Sequence, residues 1–149
     1  MTTQISVSRR SIRVLRVMLS GIFLIASANH LMNVEQTAKR IDAASMKGFA
    51  YLFGDPEILV ILSGIVMLVA GLAFFAGFRT RWAAAILLSV LIPITLTIQV
   101  GQAHTMGPLF KNIAIMGGLL FFILNDFTKE TITETNPAQP ELSIKNKAL

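Results

Sequence analysis

The sequence predicts an all-α polytopic membrane protein, a bundle of four transmembrane helices with both termini cytoplasmic. Three observations carry that expectation. First, Ile58–Phe78 runs 21 residues without a charge and Trp82–Phe110 runs 29, and a bilayer core needs about 20 predominantly apolar residues of helix. Second, the chain is 54% hydrophobic and 14% charged, where a soluble domain usually carries about 25% charged residues. A soluble bundle would have to hide two such uncharged segments inside one small domain, and is disfavoured. Third, the basic residues are lopsided. Arg9, Arg10, Arg13, Arg16, Arg79, Arg81, Lys129, Lys145 and Lys147 fall on one side of the predicted spans, nine of the 13. Lys39, Arg40, Lys47 and Lys111 fall on the other. The side richer in Lys and Arg is cytoplasmic. The net charge of +5 is therefore a topology signal, and no nucleic-acid partner is expected; the bilayer is.

The first span is expected near residues 12–32. Its apolar heart, Val17–Ala28, is short, so Arg13 and Arg16 must snorkel to the inner headgroups. Ala26-Ser27-Ala28 resembles a signal-peptidase site. Such small-residue patterns are also common in membrane helices, and the segment is read as a retained span. The outer loop, 33–55, is amphipathic: Val34, Ala38, Ile41 and Ala44 share a helical face that Phe49 and Leu52 would extend. Asn33 and Gln36 resemble a capping box, and Gly48 is expected to interrupt this surface helix. Asp55 and Pro56 suit the N-cap and first position of a second span near 57–78. The joint Gly77–Arg81 forces a hairpin into a third span near 82–101, where Pro93 predicts a kink. A fourth span is expected near 108–125. Ala73 with Gly77 and Ala114 with Gly118 have the spacing of packing seams. Residues 1–125 thus form one bundle, and 126–149, polar and carrying Pro137 and Pro140, read as a disordered cytoplasmic tail.

The chain has no cysteine, so thiol chemistry, disulfides and cysteine-ligated clusters are excluded. No nucleotide loop, catalytic triad or dinucleotide fingerprint occurs. The informative pattern is depth. The outer half of the first span holds Ser27, Asn29 and His30; the second begins with Asp55 and Glu57 and, deeper, holds Ser63; the third ends with Thr95, Thr97, Gln99, Gln102 and His104; the fourth begins with Lys111 and Asn112. The inner halves are almost purely apolar apart from Ser20 and Ser89. Polar groups at membrane depth face the bundle interior or a cavity, so an outer-side polar pocket is expected.

Ser20, Phe23, Ser27 and His30 share one helical stripe, which turns His30 inward. Three readings of His30 and His104 stand: interfacial residues bonded to headgroups, ligand and proton-transfer groups titrating near neutral pH, or a metal or bis-histidine haem site. No HxxxH or carboxylate–histidine spacing supports a metal. Lys111 either snorkels outward or offers a cation to a quinone carbonyl or anionic headgroup, with Asn112 beside it. Glu57 is either an ordinary first-turn acid or the ion-pair partner of Lys111. Asn29 and Gln99 complete the ligand-binding candidates.

Three stretches resemble the DoxX family of small four-helix bacterial membrane proteins: Ser27-Ala28-Asn29-His30-Leu31, the hairpin Gly71–Arg81, and Pro108–Gly118, the most specific. The similarity spans roughly Arg13–Leu124. The resemblance implies an accessory redox protein of the bacterial inner membrane, since the family includes subunits of thiosulfate:quinone oxidoreductase and partners in membrane oxidoreductase complexes. A quinone is then the implied ligand, and redox-enzyme or other membrane subunits the implied partners. The resemblance fixes no reaction, and whether the chain is itself an enzyme stays open. The rival expectation is a non-enzymatic scaffold or assembly subunit.

Overall fold

The computed structural model describes residues 7–101 and 105–125. Within them the chain forms six helices, α1 (Arg9–Met32), α2 (Val34–Asp42), α3 (Lys47–Tyr51), α4 (Pro56–Ala76), α5 (Thr80–Gln99) and α6 (Met106–Leu124). Helices α1, α4, α5 and α6 are the four long and apolar enough to span a bilayer. They lie within three residues of the predicted spans, because charge-free runs leave the backbone no polar solvent in the membrane and so dictate helix. His104 and the predicted tail after residue 125 lie outside the described residues.

Helix α1 starts three residues earlier than expected because Ser8 caps it, its Oγ accepting from Arg10 N–H at 3.2 Å. Arg16 does more than reach for headgroups. It is half-buried, and its guanidinium folds against Gly77 at the C-terminal end of α4, where a cation suits the negative end of the helix. Gly77 itself is left-handed, φ 81°, with Phe78 N–H reaching back to the Ala73 carbonyl at 2.9 Å. That glycine termination, followed by a left-handed Arg79, φ 43°, reverses the chain within three residues into α5.

Between α1 and α4 the amphipathic loop forms two helices. Ala38, Ile41 and Ala44 are buried as the spacing predicts. The interruption falls ahead of Gly48, at Ala43–Met46, and Gly48 sits inside α3 with open space around it. The cause is docking rather than glycine flexibility: Ala44 is buried, and Ser45 packs against Gly101 beyond the end of α5. The turn changes the helix axis, so the face does not continue to Leu52, which is 80% exposed; Ala50 is buried in its place. Asn33 begins α2 without the capping box, its amide donating instead to Asn29 Oδ1 at 2.9 Å. Asp55 and Pro56 behave as expected, with Asp55 Oδ1 accepting from Glu57 N–H at 2.9 Å.

The core runs through all four long helices: Phe23 from α1, Met67 and Phe74 from α4, Leu87 and Leu91 from α5, Ile115, Leu119 and Phe122 from α6. Phe74 and Phe122 meet edge-to-face, ring centroids 4.9 Å apart. Helices α1 and α4 close on two glycines a heptad apart. Gly64 receives Leu31 and Gly71 receives Leu24, the close approach that small residues permit. Gly118 does the same for Leu19 of α1, whereas its predicted companion Ala114 is exposed. The surface of the long helices is studded with exposed Ile, Leu, Val and Phe, as lipid contact requires.

Candidate functional site

One cavity of about 320 Å³ lies between α4 and α5, at the low end of the roughly 300–1,000 Å³ typical of small-molecule sites. Leu59, Ser63 and Val66 of α4 form one wall, and Val90, Ile94 and Ile98 of α5 the other. Pro93 and Ser89 lie deeper on α5. Ile41 of α2 and Phe49 and Phe53 around α3 roof it, the two rings packing edge-to-face at 5.3 Å. His30 reaches it from α1. The lining is mainly aliphatic and aromatic, with His30, Thr37, Ser63, Ser89 and Thr97 as its polar members. Leu62 and Ser89, both exposed, leave its flank open at mid-helix.

The inward stripe of α1 holds: Ser20, Phe23 and Ser27 are buried and His30 is half-buried. Ser20 and Ser27 donate to the Arg16 and Leu24 carbonyls at 2.6 and 2.8 Å. His30 Nδ1 lies 2.8 Å from the Ala26 carbonyl. A carbonyl only accepts, so Nδ1 carries the hydrogen and Nε2 of the neutral ring is an acceptor.

Among the described residues, His30 is the one candidate that lines this cavity. Asn112 is buried elsewhere, its amide donating 2.9 Å to Thr95 Oγ1, which in turn donates 2.7 Å to the Leu91 carbonyl. That chain ties α6 to α5. Gln99 is half-buried, and its Oε1 has no partner among the described residues. Asn29 and Lys111 are exposed. Glu57 is also exposed and borders a separate polar dish of about 310 Å³ with Glu35, Lys39, Asp42, Tyr51 and Asp55. No ion pair joins it to Lys111 among the described residues. The dish is internally paired. Lys39 Nζ meets Glu35 at 2.6 Å, holding that carboxyl below and that ammonium above their usual ranges. Tyr51 OH donates to Asp42 at 2.6 Å, which raises the phenol above its usual range.

Sequence reasoning missed the aliphatic residues of the cavity. Their signal was present only as apolar positions on two spans, Leu59/Val66 and Val90/Ile94, which the pairing of α4 with α5 turns toward each other.

Four apolar, span-length helices packed through small-residue seams, with a ligand-sized groove between two of them, define a multi-pass helical membrane protein. The DoxX family model matches residues 11–100, and the chain belongs to that family. The match covers α1 to α5 and ends short of Pro108–Gly118, the most specific of the three resembling stretches. No curated protein matches the chain, and no solved structure does.

Proposed function

We propose that this protein is an accessory subunit of a membrane oxidoreductase system in the bacterial inner membrane, holding a quinone- or lipid-like ligand in the α4–α5 groove. The single observation that supports the reading is the groove's composition. An apolar cleft of about 320 Å³ edged by one half-buried histidine suits an amphipathic molecule with a small polar head. A quinone fits that description: ring and first tail units against Val66, Val90 and Ile94, one ring oxygen toward His30. When bound it would supply two-electron redox chemistry. The protein's own residues orient the head and exclude water from it, and His30 Nε2 can accept a hydrogen bond from the hydroxyl of the reduced head, the carbonyl of the oxidised head having no hydrogen to give.

The test is native mass spectrometry with lipid extraction of the gently purified protein. A quinone or a defined lipid should co-purify, and Ile94→Trp, which fills the groove, should reduce its occupancy at least about tenfold. Equal occupancy in the two proteins removes the groove reading and favours a scaffold.

The orientation is part of the same proposal. The nine-to-four distribution of basic residues puts the capped end, with α2 and α3, outside and the α4–α5 joint in the cytoplasm. Reporter fusions at Asp42 should report outside and fusions at Thr80 cytoplasm. An external signal at Thr80 inverts the assignment.

A further inference from the structure

We infer that the groove selects a ligand whose polar head donates a hydrogen bond: a hydroxyl-bearing amphiphile, the quinol rather than the quinone. The inference rests on the ligand reading above and names its chemical form. It follows from where the hydrogens of the lining already go.

Thr37 Oγ1 donates to the Asn33 carbonyl at 2.9 Å, Ser63 Oγ to Val60 at 3.0 Å, and Ser89 Oγ to Ile86 at 2.7 Å. Each of these hydroxyls gives its one hydrogen to its own helix and keeps lone pairs. His30 gives Nδ1–H to Ala26 and keeps the Nε2 lone pair. Pro93 supplies a fifth acceptor by a different route. It has no N–H, so the Ser89 carbonyl one turn earlier loses its helical donor. Five acceptors therefore border the groove, against one lining hydroxyl, Thr97, that its own helix does not hold among the described residues.

A bare carbonyl brought into this lining is dehydrated and meets mostly lone pairs. A hydroxyl keeps its hydrogen bond. The cost of an unmet polar group in an apolar site falls on the oxidised head alone. The same chemistry is offered by a quinol and by a long-chain lipid alcohol, and the two sources are separable.

The full-length protein in phosphatidylcholine nanodiscs is titrated anaerobically with a short-chain benzoquinol and with its quinone. A parallel pair uses a long-chain alcohol and its methyl ether. The hydroxyl form should bind about tenfold tighter than its partner. Discrimination in the quinol pair assigns the site to a quinol, and discrimination confined to the alcohol pair assigns it to a lipid alcohol. His30→Phe keeps the ring and removes the acceptor, so it should shrink the preference while leaving the weaker partner's affinity in place. Ser63→Ala, a smaller change, should shrink it in the same direction. Binding with parity in both pairs overturns this inference and leaves the groove reading standing; no binding by any of the four probes overturns both.

Discussion

Phe74→Ala should destabilise the bundle by about 3 kcal/mol, the low end of the range for truncating a buried phenylalanine. The side chain is fully buried and is packed edge-to-face on Phe122. In lipid the transfer part of the usual penalty is small, because the unfolded reference is also apolar. The cavity part remains, since the structure around a truncated core side chain relaxes only partially. The loss should also couple to Phe122: a double-mutant cycle should return about 0.5–1.5 kcal/mol for the aromatic pair. Phe75→Ala is the internal control, because Phe75 is 47% exposed on the lipid face. Reversible unfolding in mixed micelles would measure all four variants. Equal losses at 74 and 75 would mean that the packing around Phe74 is not as described.

The second large effect is expected at Gly64. A Cβ placed there would stand 2.9 Å from Leu31 Cδ2 and 3.2 Å from His30 Cβ. Gly64→Leu cannot fit without moving α1 off α4, and overpacking of this kind costs about 1–3 kcal/mol. His30 sits on the displaced turn, so the variant should lose ligand occupancy as well as stability. Gly117→Leu, where nothing lies within 4 Å, should change neither. Unaltered thermal stability of Gly64→Leu would contradict the close approach of α1 and α4.

The contrast between Gly64 and Gly117 marks what the sequence makes legible. Span positions follow from long charge-free runs, and the Asp55-Pro56 start of α4 follows from local capping chemistry; neither needs tertiary knowledge. The buried face of α2 is legible for the same reason, since even a helix of 9 residues is long enough to define a stripe. What a run of apolar residues hides is azimuth. Along α4 nearly every position is apolar, so Gly64 and Gly71, seven apart and meeting α1, do not stand out in the sequence from Ala73 and Gly77, which have the four-residue spacing. The site shows the same limit. Depth placed His30, Asn112, Gln99 and Lys111 at one end of the bundle, and that much is visible. Rotation then directs His30 to the groove, Asn112 to Thr95 and Lys111 to the surface. Ser89, deep in the third span and unremarkable by depth, borders the groove because α5 turns it there. The break before Gly48 was hidden for another reason: it depends on where Ser45 lands against a residue 56 positions later, Gly101.

The three-residue reversal at Gly77–Arg79 also bears on the order of assembly. Closing so short a connection sacrifices little chain entropy, and the αL residues on either side of Phe78 already aim α5 back along α4. The two helices should therefore pair as a hairpin while the rest of the chain is still searching. Helix α1 must instead find α4 across the whole of α2 and α3, a contact of much greater sequence separation, which is slower to form. The walls of the groove are thus early structure and its roof late. A lesion in the roof would leave a cleft that forms on time but stays uncovered, whereas a lesion at Gly77 would delay every later step.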